Sequence, residues 1–397
     1  MGLISLTLRP PLNPMASTNA VTTNSPTPNF RKATRKSGKL AVKLVTDWCV
    51  ETEQAWQRIR ANQPLYESGF FDPEYLKAVT RVRPDVEYVL YLQDREIVGI
   101  FPFQRVNKVI GQPVGGMLND FHGLLCRPET DLDIGQFLST AGLQKFQFHA
   151  LQTQSTEASQ PPCKQVFRTL ACQHIDLAGG RVEYHDWLRR HSTTLRRQPQ
   201  KTRAMIRELG PMKLEWDCRD PEYLEKLVAM KRSKYQRTRT FDILGVPWTT
   251  NILREIFRTR TDRFRGVLSV LKAGDTVVSA HFGFLCGDVL HYWFPAHNHQ
   301  HGRFSPGTQL MLELTGPATA NQFNKIELGY GESDLKDRFG NGSSSVEYGC
   351  YSHHAFLRKY DQRKYLIRQA LKEIPHKALL KKIVRPLWPN LGKGQFR

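Results

Sequence analysis

The chain has 397 residues, of which 40% are hydrophobic and 10% aromatic, so it is long enough for two domains with substantial cores. No apolar run reaches the ~18 residues that a membrane-spanning helix requires, so no transmembrane helix is predicted. The seven cysteines are scattered, odd in number and never spaced Cys-x-x-Cys, which argues against a zinc framework and favours a reducing cytoplasm. The first residues contain leucines without a preceding basic group, which makes a poor secretory signal.

The formal net charge of +20 is concentrated in three segments. Residues 1–40 carry six basic and no acidic groups, residues 181–213 carry nine basic and three acidic groups, and residues 353–397 carry twelve basic and two acidic groups. The remainder of the chain is nearly neutral. Basic segments are often plain solvated surface, and they also suit contact with anionic lipid, RNA or an acidic polymer.

Residues 1–40 are rich in proline, serine, threonine and asparagine, a composition typical of a disordered tail. Regular periodicity begins at Leu40, where the pattern predicts a strand followed by a helix. Further on, Asp72 and Pro73 fit the N-cap and the first position of the next helix. Aspartate accepts hydrogen bonds from the free N–H groups there, and proline has no N–H to leave unpaired.

A β-hairpin pattern occurs twice, over 87–106 and over 266–285. In each copy two β-rich runs flank a charged turn, and the second run ends in Phe-x-Phe, at 101–103 and at 282–284. One hairpin that recurs roughly 180 residues along the chain suggests a duplicated domain.

Between the hairpins, the glycine-containing loop 115–123 is predicted to line a site. Residues 184–209 form a basic helical segment that Pro199 interrupts, so we expect two helices or a kink. Two amphipathic helices follow, near 221–235 and 251–259.

The second hairpin opens a stretch, 266–339, on which the functional prediction depends. A third β-rich run follows it, and then a short basic loop over 302–307, a helix, another strand and a second helix. Ser305 is predicted as N-cap and Pro306 as the first residue of the helix after the loop. A helix N-terminus that directly follows a strand and loop offers free N–H groups to an anion. The sequence therefore predicts an anion site at this loop.

The glycine- and serine-rich residues 340–345 predict a turn before a last strand over 346–351. A basic helical tail follows, whose composition suits an amphipathic surface helix pair.

Five segments carry a resemblance to a known family. They are 231–248 (KRSKYQRTRTFDILGVPW), 273–283 (AGDTVVSAHFG), 289–296 (VLHYWFPA), 303–307 (RFSPG) and 328–339 (LGYGESDLKDRF). Together they resemble the CelD-like acetyltransferases of the GNAT superfamily, which are associated with cellulose or exopolysaccharide production and are related to the Fem-type aminoacyl transferases. The resemblance is dense over 231–339 and diffuse over 65–210.

The resemblance implies an α/β (α+β) fold with two GNAT-like lobes in tandem, each a mixed, mostly antiparallel sheet flanked by helices. The repeated hairpin agrees with such a duplication. The corresponding organisation is a disordered tail over 1–40, an N-terminal lobe over 41–180, a C-terminal acyltransferase lobe over 181–352 and a basic helical tail over 353–397.

The resemblance further implies that the C-terminal lobe binds acetyl-CoA or another acyl-CoA as co-substrate, without a metal. Its fourth strand would bind the pantetheine arm through main-chain groups, and the loop before the helix would bind the diphosphate. The residues expected at the cofactor are Tyr292, Trp293, Phe294, Arg303, Phe304, Ser305, Pro306, Gly307 and Thr308. Core packing of the rings and an ordinary capped helix are the alternatives.

Four residues are candidates for the proton transfers of the reaction: Glu332, His281, Tyr330 and Lys336. A carboxylate in a partly dry cleft can have its pKa raised until it acts as a general base, which favours Glu332. The alternatives are structural roles: a helix-capping acid, with Asp334 as predicted N-cap, a solvated Lys336, and a satisfied strand histidine at 281.

His297, His299 and His301 would share one face if they lay in a strand, as a metal triad would require. The neighbouring Asn, Gln and Gly residues indicate a loop instead, and no carboxylate joins the group. We therefore predict a polar loop on the acceptor side and no metal site.

The leading interpretation is a bacterial, cytoplasmic acyltransferase that moves an acetyl or longer acyl group from acyl-CoA directly to an amine or hydroxyl acceptor. The expected acceptor is an envelope polysaccharide or a lipid-linked sugar, and the basic tails would contact the inner face of the membrane. No cysteine or serine lies in a nucleophile motif with a partnered histidine, so no acyl-enzyme is expected.

Two alternatives stay open. One is a Fem-like aminoacyl transferase that uses charged tRNA, with segment 181–213 on the RNA phosphates. The other is a non-catalytic GNAT scaffold that binds an anionic membrane or polymer. In the leading interpretation nucleic acid is not a partner.

Overall fold

The computed structural model describes residues 40–61, 63–128, 130, 132–152, 161–316, 322–331 and 333–373. The predictions made for residues 1–39, for Glu332 and for the tail beyond 373 lie outside the described residues. From residue 40 onward the described chain falls in one compact unit. No helix in these ranges is long and apolar enough to cross a membrane.

Strands and helices alternate along most of the described chain. The strands are β1 (Leu40–Val45), β2 (Val86–Gln93), β3 (Glu96–Asn107), β4 (Ile110–Gln112), β5 (Leu125–Cys126), β6 (Lys145–Leu151), β7 (Lys164–Asp176), β8 (Met212–Glu215), β9 (Phe264–Ala273), β10 (Thr276–Cys286), β11 (Val289–His297), β12 (Lys325–Tyr330) and β13 (Gly342–Tyr351). The helices are α1 (Val50–Arg60), α2 (Pro73–Val82), α3 (Ile134–Thr140), α4 (Arg181–His191), α5 (Gln198–Leu209), α6 (Pro221–Thr238), α7 (Pro247–Arg258), α8 (Pro306–Leu314), α9 (Asp334–Phe339) and α10 (Ala355–Glu373).

The strands form one mixed sheet in the order β1-β2-β3-β4-β6-β13-β7-β12-β11-β10-β9-β8, with β5 beside β3. Neighbouring strands named here are antiparallel except for two parallel pairs, β4 with β6 and β11 with β12. Each parallel pair follows one of the two predicted hairpins, so the same strand pattern occurs twice. The predicted mixed α/β fold class is confirmed.

Local sequence explains most of the element boundaries. Asp94 and Arg95 both have positive φ, as the turn of a two-residue hairpin requires, and Gly274 supplies the left-handed turn of the second hairpin. At the start of α2 the Asp72 side chain accepts a hydrogen bond from the Glu74 N–H at 3.0 Å, as predicted. Pro199 lies in the first turn of α5, so the basic segment is two helices and not one.

The two halves of the sheet exchange strands. β13 lies between β6 and β7, and its register with β7 runs from Gly342↔His174 to Tyr351↔Lys164. The other edge of β7 pairs with β12 of the second half. The strand also begins four residues earlier than predicted, because residues 342–345 pair with β7 in place of the expected turn.

Aromatic side chains join the two halves beside β11. Phe70, in a 3-10 turn before α2, packs edge-on against Phe284 of β10 with ring centroids 5.0 Å apart. The Trp293 indole N–H donates to the Leu118 carbonyl oxygen at 2.9 Å. Loop 115–123 of the first half is thereby fixed against β11 of the second half.

Candidate active site

β11 and β12 are parallel neighbours that separate partway along their length. Their register joins Val289–His291 with Lys325–Glu327 and stops there. β11 continues to His297 and β12 to Tyr330, so the facing strand edges diverge. Backbone groups along these free edges can pair with an extended ligand that enters between the strands.

A pocket of about 670 Å³ occupies this opening. Eight residues predicted from the sequence line it: Tyr292, Trp293, Ser305, Pro306, Gly307, Thr308, Tyr330 and Lys336. Four others do not: Phe294, Arg303, Phe304 and His281. Eight of the predicted residues thus share one pocket, whereas four others lie outside its lining, and their functional roles stay predictions.

The N-terminus of α8 faces the pocket. Ser305 has left-handed backbone angles (φ 55, ψ 53), and Pro306 follows as the first helical residue. An ideal Cβ on Gly307 would have only His297 Nδ1 within 4 Å, at 3.9 Å, so the first turn borders open space. As predicted, Ser305 is the N-cap residue of α8, although its side chain makes no capping hydrogen bond and its Oγ instead accepts one from Lys201 Nζ at 2.7 Å.

Arg303 lies outside this pocket. Its guanidinium pairs with the Glu208 carboxylate of α5 and covers the Phe304 ring at 4.7 Å, and Phe304 itself is buried. Positive charge reaches the pocket from four other side chains: Lys231, Lys234, Lys336 and Arg338. Among the described residues Asp120 and Asp334 are the lining carboxylates, so the described basic groups outnumber the described acidic ones.

Lys231 is the most unusual of these basic groups. It is half-buried on α6, and its Nζ donates to the Pro295 carbonyl oxygen of β11 at 2.9 Å. Burial, with a smaller contribution from the charge of Lys234, lowers the pKa of Lys231 to about 7. Segment 231–248 contributed to the family resemblance, but sequence reasoning gave this lysine no role. The sequence pattern does indicate a buried lysine, because Lys231 follows Leu224, Leu227 and Val228 at helical spacing on the buried face of α6.

Asp120 reaches the pocket from the first half of the chain, on the loop predicted to line a site. Its Oδ2 lies 2.9 Å from Nε2 of the buried His291. The backbone of β12 also approaches Asp120 closely, since an ideal Cβ on Gly329 would lie 2.5 Å from the same oxygen. Gly329 has a φ of +73, which glycine adopts without strain. The specific contribution of Asp120 was not foreseen, because it depends on the packing of the two halves.

Tyr330 and Lys336 lie at the end of β12. Burial, followed by the charge of Asp120, raises the pKa of Tyr330, so its phenol stays protonated at neutral pH. Lys336 Nζ donates to the carbonyl oxygens of Gly329 and Tyr330 at 2.9 and 2.6 Å, and burial lowers its pKa. Ser333, not Asp334 as predicted, is the N-cap of α9, because the Ser333 Oγ accepts from the Lys336 N–H at 3.4 Å.

His281 lies on β10, the neighbour of β11, and is fully buried. Its ring stacks on Tyr292 with centroids 4.4 Å apart, and its Nε2 lies 3.4 Å from the His291 carbonyl oxygen. Burial lowers its pKa to about 3, so the ring is neutral at physiological pH. Phe294 is likewise buried and packs against Trp293 at 4.8 Å.

The three closely spaced histidines do not lie on one strand face. His297 ends β11, whereas His299 and His301 belong to a 3-10 turn over His299–Phe304. Across the described residues no group of three or more His, Cys, Asp or Glu side chains could hold a metal ion.

The corresponding opening in the first half is filled. β4 and β6 also pair in parallel over two residues, and the chain beyond β4 then forms loop 115–123. His122 of this loop bridges to Leu151, and His149 Nε2 lies 2.8 Å from the Asn119 carbonyl oxygen. The cavity that remains beside β6 is only about 30 Å³. Of these two openings, the one in the second half has room for a cofactor.

Residues 189–337 match the family model described as Acetyltransferase (GNAT) domain. The matched residues include the opening between β11 and β12, the loop and α8, so this comparison supports the predicted resemblance to the GNAT superfamily for this part of the chain. The narrower CelD-like assignment stays a prediction. No curated protein sequence matches the chain.

Several solved structures are similar in fold. A conserved protein of unknown function from Bacteroides thetaiotaomicron VPI-5482 is 8% identical with a TM-score of 0.52, covering 78% of this chain and 100% of that one. FemX is 9% identical with a TM-score of 0.49, covering 80% and 99%. A tandem GNAT protein from the clavulanic acid biosynthesis pathway is 12% identical with a TM-score of 0.42, covering 78% and 98%. At such identities a structural likeness concerns the fold alone.

Proposed function

We propose that this protein transfers an acyl group, in the simplest case acetyl, from acyl-CoA to an amine or hydroxyl of a second substrate. The opening between β11 and β12, with the α8 N-terminus and basic side chains at its border, is the observation that carries the proposal. A pantetheine arm is an extended chain with amide groups, and it ends in a diphosphate. Free strand edges can bind the amides of the pantetheine arm, and a helix N-terminus can bind the diphosphate.

In this proposal the free edge of β11 holds the pantetheine amides through backbone groups. The first turn of α8, at Gly307 and Thr308, binds the diphosphate, and Arg338 adds positive charge. The Arg338 Nη1 lies 3.4 Å from the Thr308 Oγ1, so the cation and the helix terminus are adjacent. Lys336 holds the end of β12 through its carbonyl contacts and contributes to the same positive field.

The chemistry we propose is direct transfer in a ternary complex. The acceptor nitrogen or oxygen attacks the thioester carbonyl carbon, the new C–N or C–O bond forms, and the C–S bond breaks with its electron pair leaving on sulfur. Neutral Lys231 takes the proton from the attacking group, and the Tyr330 phenol gives a proton to the leaving thiolate. Glu332, the base predicted from the sequence, remains a second candidate for the first transfer.

We propose an envelope polysaccharide or a lipid-linked sugar as the acceptor class. The resemblance of 231–339 to CelD-like proteins supports this, and Asp120, His297 and Ser333 offer hydrogen-bonding groups at the pocket for a polar acceptor. Contact with the inner membrane face through the basic tail is part of the same proposal. It is supported by three exposed apolar side chains among the basic residues of α10: Phe356, Leu366 and Ile367.

Calorimetry with acetyl-CoA, desulfo-CoA and bulk tRNA tests the proposal. We expect micromolar binding of both coenzyme forms, and at least a tenfold loss of affinity in Arg338→Ala. Arg303→Ala is the matched comparison, because that arginine pairs with Glu208 outside the pocket. If only Arg303→Ala loses affinity, Arg303, as predicted from the sequence, supplies positive charge to the diphosphate, and Arg338 does not. Binding of tRNA without affinity for the coenzyme contradicts acyl-CoA transfer and favours the Fem-like alternative.

A further inference from the structure

A second large pocket, of about 730 Å³, lies between α8 and the α4–α5 pair. It shares helix α8 with the active-site pocket but has no lining residue in common with it. Its volume is in the range of ligand sites. We call it the arginine pocket, after Arg189, Arg196 and Arg203, which line it.

The inner surface of the arginine pocket is largely aliphatic. Leu188, Leu195, Pro199 and Leu312 contribute to it, and Leu188 is buried. These side chains come from α4, α5, α8 and the 3-10 turn between α4 and α5, so packing of separate elements creates the surface. It offers an apolar chain a place to bury its methylene groups.

The polar groups at the base of the pocket already satisfy one another. Gln198 Nε2 donates to the Phe304 carbonyl oxygen and to Gln309 Oε1, both at 3.2 Å. Thr202 Oγ1 donates to the same Gln309 oxygen at 2.6 Å. The aliphatic surface is therefore held in place by a closed hydrogen-bond network that leaves no need for a polar ligand at the base.

The charged groups of the arginine pocket are of one sign. In the described part of the chain no carboxylate lines it, and of its three arginines Arg189 pairs with Asp186 of its own helix. Arg196 and Arg203 form no ion pair with any described residue. Their guanidinium groups provide uncompensated charge beside the aliphatic surface, and guanidinium groups match phosphate oxygens well because they donate two parallel hydrogen bonds.

We propose that the arginine pocket binds a single-chain amphiphile with a phosphate head group. Its alkyl chain lies on Leu188, Leu195 and Leu312, and its phosphate lies between Arg196 and Arg203. The combination of an apolar surface and unpaired arginines complements both parts of such a ligand. This binding is independent of the proposed acyl transfer.

The same features argue against two other occupants. RNA recognition uses stacking platforms of several rings or a long phosphate track. Among the described residues the arginine pocket has one ring in its lining, that of His185, whose Nε2 lies 3.1 Å from the Thr315 carbonyl oxygen. The undescribed ends of this chain also fit poorly, since residues 1–39 and 374–397 each carry six basic and no acidic residues. A positively charged segment would be repelled by the arginines.

Calorimetry of the full chain with octyl, decyl and dodecyl phosphate, each below its micelle concentration, tests the proposal. We expect affinity to rise about fourfold for each methylene buried, until the chain fills the pocket. Inorganic phosphate and monodecanoylglycerol, which each lack one half of the ligand, should bind at least about tenfold more weakly than decyl phosphate. Affinity that is independent of chain length would overturn the proposal.

Paired variants locate the site. Arg196→Ala with Arg203→Ala should weaken decyl phosphate binding about tenfold or more, and Leu312→Gln should flatten the chain-length dependence. Lys43→Ala with Arg58→Ala removes two exposed charges from the first half and should change nothing. Thermal unfolding and unchanged acetyl-CoA binding establish that the variants are folded. An equal loss in the control pair means non-specific attraction and contradicts the proposal.

Two further experiments distinguish a monomeric amphiphile from a membrane lipid and from RNA as the bound partner. Flotation with phosphatidylcholine vesicles, with and without phosphatidic acid, shows whether binding needs a membrane. Association with vesicles but not with monomeric alkyl phosphates contradicts a pocket for a single amphiphile. The arginine variants are also tested with tRNA. If they lose affinity for tRNA and keep their affinity for alkyl phosphate, the amphiphile proposal is contradicted and the arginines are assigned to RNA.

Discussion

Lys231 occupies a position where the helical pattern of α6 calls for an apolar side chain. The surrounding structure keeps its amine largely out of water and gives it a carbonyl partner, Pro295, but no carboxylate. A lysine in such a place loses its proton more easily than one in solvent. The proton-acceptor role that we propose for Lys231 rests on that environment, and two predictions depend on it.

Lys231→Met should lower kcat by about a hundredfold or more, because the attacking group loses its base. Acetyl-CoA affinity should change little. In the unaltered protein kcat should rise with pH through about 7, as the amine becomes neutral. Steady-state kinetics across this pH range check both effects, with Lys234→Met as the control for loss of one positive charge. If the rise persists in Lys231→Met, a different group is the base.

The same pKa has a consequence for stability. The folded-state pKa of Lys231 is about 7, below its ordinary 10.5, so between these pH values the unfolded chain binds more protons than the folded one. Stability therefore rises with pH across this interval through this group, and its unfavourable contribution is fully present below pH 7. Lys231→Met should accordingly raise the free energy of unfolding more near pH 7 than near pH 10. Urea unfolding at the two pH values measures this, and an effect independent of pH would contradict it.

At the scale of elements, the end of β12 is shaped by its contact with loop 115–123. Gly329 combines a positive φ with an approach to Asp120 that leaves no room for a Cβ. Tyr330 and Lys336, on either side of the turn into α9, depend on the position of this backbone. The element therefore places several pocket residues together.

Gly329→Ala should cost about 1–3 kcal/mol of stability, through backbone strain and displacement of the Asp120 carboxylate. We also expect kcat to fall, because Tyr330 shifts with the strand end. Gly302→Ala is the matched control for stability, since a Cβ there has no atom within 4 Å and the residue has no positive φ; because Gly302 lines the pocket, kcat of the Gly329 variant is compared with the unaltered protein. Chemical denaturation and kinetics of the two variants check the prediction, and equal stability losses would refute the argument from Asp120.

Most of the elements could be predicted from local chemistry. The two hairpins, the Asp72 cap and the break at Pro199 all follow from short-range sequence, and so does the loop before α8. For the same reason, many of the residues predicted from this stretch lie together in one pocket. The details that differ are long-range: Arg303 meets Glu208 of α5, Asp120 arrives from the other half, and 342–345 pairs with β7. No periodicity within a segment contains that information.

At the scale of the whole molecule, the exchange of β7 and β13 makes the two halves interdependent. Expressed separately, 41–180 lacks the strand between β6 and β7, and 181–352 lacks the neighbour of β12. We expect neither piece to fold alone, because each exposes long unpaired strand edges. Circular dichroism and solubility of the two pieces test this, with residues 40–373 as the control that should fold. A cooperative unfolding transition in either isolated piece would contradict the expectation.

The position of β13 also has a consequence during synthesis on the ribosome. β6 and β7 leave the ribosome long before residues 342–351, the strand that lies between them. At usual translation rates the delay is on the order of ten to thirty seconds. The first half must spend most of this time with one edge of β6 and both edges of β7 open to other nascent chains. We therefore expect the yield of native protein to depend on translation speed and on chaperones that shield strand edges.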